Sequence, residues 1–566
     1  MENIREILEL AVGRYGGNKA FRLKTGKGEY RDITYIRYYE EIRCLGEAFL
    51  GREFSGKRII VIGKNSYNWY LANMATLTTG NITVPLDKEL KYEEFESSLI
   101  RSEAEVIFYD KQEETGVLKA LESGKTGIKY AFPLFKAEDR TDIFDLTVEG
   151  KELIDSGADK FSGVRIDPDI ASFLIFTSGT TSQSKIVMLS QRNVVSNVVN
   201  TLASEPIYAT DINIALLPYH HTFGLTCQLV ILAAGACTVY CDGLKHIQQN
   251  FKEYKVSIFV GVPLLIETMY SRILKKAEKE GMTGRLKTMG RFVRVLGKAH
   301  IDIRRNVFKG VLEAFGGNLR MVILGAAAAD PECIRGWHDF GVICLQGYGL
   351  TETSPVLAAE RPDHRRPGSI GVPIEGVSMD IYDPDENGIG EIIARGENVM
   401  LGYYENEEAT KACIYDGWFH TGDLGYRDKD GYFYITGRKK NVIVLKNGKN
   451  VFPEEIEQEL NSLSYKEEAI VAGLPNDGDD RDPVVALKLV YNPEDFEGKT
   501  TEEIHKSIEA DVEKINDKLP TYKRIKRVYT TDEPMEKTST QKVKRFVEIQ
   551  KIIDAEKAGK AEKEKK

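Results

Sequence analysis

Met321-Val322-Ile323-Leu324-Gly325 is an apolar run of strand length that stops at a glycine. Two other runs share the form: Ile59-Ile60-Val61-Ile62 before Gly63, and Val256-Ser257-Ile258-Phe259-Val260 before Gly261. A strand that is apolar on both faces has to be covered on both faces. Helical patterns lie between these runs, for example over residues 66–79 and 191–202. Such alternation predicts parallel sheets covered by helices. It also places ligands beyond the carboxyl ends of the strands, where these glycines stand.

From about Gly368 the texture changes. Turns such as Asp383-Pro384-Asp385-Glu386-Asn387-Gly388 and Asp428-Lys429-Asp430-Gly431 separate short strands, which predicts a smaller β-rich section. Gly437-Arg438-Lys439-Lys440 is a basic, turn-like junction and marks a domain boundary. Beyond it, Pro453 opens a glutamate-rich helix over 454–463, and strand-like segments follow near 468–473 and 484–490. Residues 500–519 form the clearest helix pattern. Ile504, Ile508, Val512, Ile515 and Leu519 share one face, and Thr500 with Glu503 forms a capping box. Residues 551–566 carry six lysines and four acids and read as frayed helix or disorder.

The length of 566 residues leaves room for three to four folding units at about 150 residues each. A hydrophobic share of 42% supplies large cores. The net charge of -9 argues against a broad basic nucleic-acid face. Seven irregularly spaced cysteines without a CxxC fit a reduced compartment rather than a disulfide framework or a zinc site. The amino terminus has no signal-peptide core. The longest uncharged stretch, 212–241, is broken by Pro218, His220 and His221, so no transmembrane segment is expected. The expected location is cytoplasmic, and no amphipathic anchor is evident.

The chemistry gathers in one loop. Phe176-Thr177-Ser178-Gly179-Thr180-Thr181-Ser182-Gln183-Ser184-Lys185 follows the apolar Phe173-Leu174-Ile175. Hydroxyls and backbone amides can wrap phosphate oxygens, and a lysine adds a point charge. The run is not a Walker loop, since Ser184-Lys185-Ile186 stands where GK[ST] is needed. Taken alone, it reads equally as a solvated Ser/Thr loop.

The loop resembles the phosphate-loop signature TSGTTGxPKG of the adenylate-forming superfamily. That superfamily includes acyl-CoA synthetases, aryl-CoA ligases, firefly-type luciferases and peptide-synthetase adenylation domains. The chain keeps Thr177, Ser178, Gly179, Thr180, Thr181 and Lys185, then Leu189-Ser190 and Asn193 of the following segment. It departs where Ser182 replaces a glycine, Ser184 a proline, Ile186 a glycine and Gln191 a histidine. These exchanges are expected to stiffen the loop and lower ATP affinity or the rate of the first step.

Further motifs of the family follow in order. Pro218-Tyr219-His220-His221-Thr222-Phe223-Gly224 resembles its PLFHxxG segment, which implies that His221 lies near the carboxylate to be activated. Gly325-Ala326-Ala327 resembles the small-residue strand end that lets adenine and acyl chain pass. Gln346-Gly347-Tyr348-Gly349-Leu350-Thr351-Glu352 is similar to YGxTE. The resemblance implies Tyr348 on adenine, Thr351 at the α-phosphate and Glu352 on Mg2+, a residue type suited to a hard cation. Thr421-Gly422-Asp423 carries the TGD motif, with Asp423 and Arg438 as the implied ribose contacts and Lys440 as the implied hinge. Gly448 falls on the pantetheine-tunnel loop, and Lys542, in Lys537-Thr538-Ser539-Thr540-Gln541-Lys542, on the adenylating lysine. Glu536 and Gln541 stand there for a proline and a glycine.

The implied fold is α/β. A large N-terminal region, 1–437, holds two helix-covered, mostly parallel sheets and a small β-barrel-like section. A small mobile α+β domain, 438–550, carries hinge and lysine, and 551–566 is the charged tail. The implied activity is ATP-dependent activation of a carboxylic acid, of the bacterial long-chain fatty acid type, to acyl-AMP with release of pyrophosphate. Thioester formation with coenzyme A and release of AMP would follow. Lys542, His221, Thr351 and Glu352 are the implied catalytic set, with ATP, Mg2+ and coenzyme A as cofactors. A carrier-protein pantetheine as acceptor, a weakened nucleotide- or acyl-binding relative, and a phosphoryl-transfer enzyme remain the alternatives. A lipid substrate implies loose membrane contact at most.

Overall fold

The computed structural model describes residues 1–177, 184–446, 449–476, 479–537 and 543–563, with backbone alone for 479–481 and 558–563. The chain divides into two compact units, residues 1–379 with 394–419, and 380–393 with 420–566. The stretches 380–393 and 420–437, which the sequence assigns to the first region, group with the second unit. Their strands are hydrogen-bonded to one another in the small sheet.

The first unit has the expected α/β architecture. One seven-stranded sheet has Arg58–Ile62 paired in parallel with Ile82–Leu86 on one side and Val106–Tyr109 on the other. Ala171–Thr177 continues it in parallel, and Lys185–Ser190 turns back antiparallel. A second sheet of nine strands is parallel through Ile212–Ala215, Ile258–Gly261, Met321–Leu324 and Ile343–Gly349. The nine-stranded sheet is antiparallel at both edges. The seven-stranded sheet is antiparallel at one edge only, since Tyr130–Pro133 closes the other in parallel with Val106–Tyr109.

Helices form where the sequence supplies caps. Ser66 accepts from the Trp69 amide and opens the helix Tyr67–Thr78, buried at every position but Asn68. Ser190 and Asn193 form a reciprocal capping box for the helix Gln191–Ser204. Trp69, Leu71, Met74 and Leu77 pack into the core beside Ile59, Val61 and Phe108. Each such side chain contributes about 1.5–3 kcal/mol by leaving water.

Gly390–Arg395, Trp418–Arg427 and Phe433–Arg438, three strands of a five-stranded sheet, fall mostly in the second unit. The antiparallel pair Lys466–Asn476 and Asp479–Tyr491 gains Arg527–Thr531 in parallel. The helix Thr501–Asn516 buries Ile504, Ile508, Val512 and Ile515, and Thr500 with Glu503 makes the expected capping box. Arg545–Lys563 is one helix that enters the charged tail. Ile552 is buried against Leu474 and Ala486, Lys551 pairs with Glu536 at 3.1 Å, and Arg527 pairs with Glu556 at 3.2 Å. Three isoleucines at helical spacing, Ile549, Ile552 and Ile553, give the charged segment a face to bury.

Candidate functional site

The parallel register of the nine-stranded sheet sets Gly261 beside Leu324 and Leu324 beside Gln346. Gly325 and Tyr348 therefore emerge at one edge, as strand order demands. A Cβ on Gly325 would lie 2.7 Å from the Phe223 ring, so glycine is what lets that ring close on the strand end. Ala326 is exposed with φ +73, a left-handed conformation that costs an alanine about 1 kcal/mol. Strain of this kind at a strand end points to a functional contact.

Phe223 belongs to the segment that starts the helix Thr222–Ala233, with His221 as its N-cap residue. The rings of His220 and His221 lie 4.1 Å apart. His220 is buried, and burial pushes its pKa down while Asp87, 3.5 Å away, pulls against it. Burial thus favours the neutral imidazole. The next turn carries Thr222 and Thr226, whose buried hydroxyls have no hydrogen-bond partner among the described residues. Two of the buried carboxyls of the same unit, Glu360 and Glu205, have raised pKa values. Glu360 accepts from the amides of Gln346 and Arg366, and burial raises its pKa to about 7. Glu205, raised to about 8 by burial and by the charge of Glu360, leaves Oε2 without a partner among the described residues.

Past Tyr348 the chain turns sharply. A Cβ on Gly349 would sit 1.9 Å from the Pro355 carbonyl, so only glycine fits. Thr351–Thr353 is a 3-10 turn that presents Thr351 and Glu352, both half-buried. The segment 400–404 then ties this turn to the strand Lys185–Ser190. The Met400 amide donates to the Glu352 carbonyl at 2.8 Å. Leu401 and Tyr404 donate to Met188 and Ile186. The Tyr403 hydroxyl donates to the Glu352 carboxylate at 2.8 Å, and Lys185 Nζ lies 4.3 Å from the centre of the Tyr403 ring. Lys185 and Glu352 are thus held by one buried tyrosine, through a cation–π contact and a charge-assisted hydrogen bond.

Ser178, Gly179, Thr180, Thr181 and Ser182 lie outside the described residues, as do Gly448, Gln541 and Lys542. The flanks of the loop are described. Thr177 pairs with Lys185, and its hydroxyl donates to the Lys185 carbonyl at 3.3 Å. Arg101 stacks 5.5 Å from the Phe176 ring and donates to the Ser184 hydroxyl and carbonyl at 3.2 and 2.7 Å. One guanidinium therefore holds both ends of the loop. Lys537 bridges Val543 across the segment that carries Lys542.

The exchanges at Gln191 and Glu536 have structural roles. Gln191 is fully buried. It accepts from the Ile4 amide and donates to the Leu77 carbonyl, both at 2.9 Å. The Glu536 amide donates to Glu548 at 3.1 Å, a bond that a proline could not make.

In the second unit, Asp423 and Arg438 are register partners across an antiparallel pair, with Arg438 Nε 2.7 Å from Asp423 Oδ1. Asp423 is buried and Arg438 is 41% exposed, so the pair opens on one side. Its neighbours are fixed by Glu391, which accepts from the Gly422 amide at 3.0 Å and from Lys439 at 3.1 Å. Burial would raise the Glu391 pKa, but Lys439 and the Gly422 amide outweigh it and hold the carboxyl below its usual range. Lys440 is exposed in the 3-10 turn Lys439–Asn441. An ionised carboxylate has about four acceptor positions, enough for Arg438 and a diol together.

Within the first unit, the structure joins Lys185 to Glu352, and Gly325 to the segment of His221. The sequence reading missed Tyr403 and Arg101. No local pattern marks either: Glu352 is 51 positions from Tyr403, and Ser184 is 83 from Arg101. Among the described residues, no group of three or more His, Cys, Asp or Glu side chains converges as a metal cage. A single carboxylate beside a phosphate strand fits a magnesium ion ligated mainly by phosphate and water. Glu352, bonded to Tyr403 beside Lys185, is a carboxylate of that kind.

Two family models match the chain. One, described as AMP-binding enzyme, covers residues 8–404, and one described as AMP-binding enzyme C-terminal domain covers 440–553. A long-chain-fatty-acid–CoA ligase of Mycobacterium bovis is 28% identical over 93% of this chain and 92% of its own length. A chloroplastic long-chain-fatty-acid–acyl-carrier-protein ligase of Arabidopsis thaliana is 26% identical over 78% of this chain and 70% of its own. Among solved structures, ATP-bound MatB of Rhodopseudomonas palustris is similar, with a TM-score of 0.75 and 23% identity, covering 96% of this chain and 98% of the other. At that identity the likeness concerns the fold.

Proposed function

The chain belongs to the AMP-binding enzyme family of adenylate-forming proteins, and we propose that it activates a long-chain fatty acid and transfers it to coenzyme A. The observation that carries the adenylation is the coupling of Lys185 and Glu352 through Tyr403. A carboxylate attacking the α-phosphate of ATP brings two anions together, so catalysis must neutralise and orient them. Lys185 and the hydroxyls of Thr177, Ser178, Thr180 and Thr181, with the amide of Gly179, would hold the phosphates. Thr351 would hydrogen-bond the α-phosphate. Glu352 would hold Mg2+, which when bound neutralises phosphate charge.

Tyr348, Gly349 and Gly325 with Ala326 form the wall for adenine and acyl chain. Asp423 and Arg438 hold the ribose. His221 orients the attacking carboxylate, and Lys542 adds positive charge where the pyrophosphate departs. The acyl-AMP formed is a mixed anhydride, and attack by the thiol releases AMP. Lys440 is the hinge that exchanges Lys542 for the loop of Gly448 between the two steps. The fatty acid and the CoA acceptor are supported by the relatives' named activities at 26–28% identity. The second of these relatives also supports a carrier-protein acceptor.

An ATP–pyrophosphate exchange assay over a panel of fatty, aryl and short dicarboxylic acids tests the reading. Exchange that rises with fatty-acid chain length supports it. Exchange only with aryl or short acids would overturn the substrate class, and none with any acid would overturn adenylation.

A further inference from the structure

The helix Thr283–Lys298 lies against the helices Pro263–Lys279 and Pro331–Asp339. Its inner face carries Leu286, Met289 and Val293. At about 100° per residue, the outer face carries Lys287, Arg291, Val295 and Lys298, with Phe292 beside them. Phe292 is 54% exposed and Val295 65%. Met282 and Ile301, at the two ends of the helix, are exposed as well. Residues 263–298 hold nine lysines and arginines against three glutamates, a net charge of +6 in a chain whose total is -9. Among the described residues, Lys287, Arg291 and Lys298 make no ion pair. By contrast, the basic side chains just past the helix are matched: Arg304 pairs with Asp302 at 2.7 Å, and within the helix Arg294 reaches Asp339 at 3.4 Å.

We propose that this outer face docks the protein on an anionic lipid bilayer. A lone basic patch would suit any polyanion. Here uncompensated bases alternate with exposed apolar side chains, and that pairing fits an interface where headgroup charge and acyl chains meet. A nucleic-acid backbone offers phosphate but no apolar bed for Val295 and Phe292. The acidic remainder of the chain would be repelled by the same bilayer, so charge also sets which face turns toward it. The proposal stands on this surface and does not depend on which acid is activated.

Sedimentation of the full chain, without substrates, with phosphatidylcholine vesicles tests it, with and without phosphatidylglycerol. The wild type is expected to bind the phosphatidylglycerol vesicles and to be released by salt. The combined variant Lys287→Glu, Arg291→Glu, Lys298→Glu is expected to lose about a hundredfold in vesicle affinity. Phe292→Ser with Val295→Ser is expected to lose about tenfold. Both variants should keep the wild-type Tm and the basal exchange rate. A wild type that stays in the supernatant overturns the proposal, as does vesicle binding that survives the charge reversal. Duplex DNA binding as tight as vesicle binding, with vesicle binding unmoved by the Phe292 and Val295 changes, also overturns it and makes the face a general polyanion site.

Discussion

Asp423 and Arg438 meet directly across one pair of neighbouring strands, whereas Lys185 and Glu352 meet only through Tyr403. The first pair is built by local register. The second depends on three chain segments folding onto one another, with 400–404 hydrogen-bonded to both of the others. Two directly paired side chains hold each other in one geometry. A site joined by an intermediary is tunable, because the intermediary can be weakened without removing either charge.

The comparison can be broken most severely at Glu352. Glu352→Gln keeps shape but removes charge, and kcat/KM for adenylation is expected to fall about a thousandfold, as for loss of one transition-state electrostatic partner. A fall of less than tenfold would mean that Glu352 does not act on developing phosphate charge. Asp423→Asn is next. It is expected to raise KM for ATP about thirtyfold with kcat nearly unchanged, the signature of uniform binding. A kcat-dominated loss would instead assign Asp423 to the chemistry.

Tyr403 sharpens the contrast. Tyr403→Phe keeps the ring beside Lys185 and removes the hydroxyl bonded to Glu352. One charge-assisted hydrogen bond is worth about 1.5–3 kcal/mol, so roughly tenfold or more in kcat is expected. Tyr403→Leu loses both contacts and should fall further. If the two variants match, the cation–π contact with Lys185 contributes nothing.

The smallest effect on activity is expected from Glu205→Gln, whose signature is stability. Burial raises the Glu205 pKa from 4.5 to about 8 in the folded chain. Its stability contribution is therefore complete below about pH 4.5 and is lost as pH rises toward about 8. Glu360 faces it and titrates in the same window, with a pKa of about 7. Denaturant melts should show the glutamine variant gaining on the wild type by a few kcal/mol between pH 5 and pH 8. A constant difference across that range would mean that Glu205 is ionised at low pH or solvated.

Legibility in the sequence followed the same divide. The strands before Gly63, Gly261 and Gly325 were visible because a doubly covered strand must be apolar throughout. The helix Thr501–Asn516 was visible because its cap and apolar face are both local. Asp423 and Arg438 were nominated by motif and stand in register. Tyr403 and Arg101 were invisible, since each acts on residues brought near only by tertiary folding. The exchange at Gln191 looked like a weakening of the phosphate loop, yet its amide ties the amino-terminal helix to the core. Charge hid two other features. The lysines after 551 masked the apolar stripe of the last helix, and an acidic total masked the basic outer face of Thr283–Lys298.

The most direct test of acid activation is a product balance. The wild-type chain is incubated with ATP, magnesium, palmitate and coenzyme A, and the products are resolved by phosphorus NMR and mass spectrometry. AMP, pyrophosphate and palmitoyl-CoA in equal amounts, each absent without palmitate, is the predicted result. ADP as the nucleotide product, or ATP turnover indifferent to the acid, would contradict it.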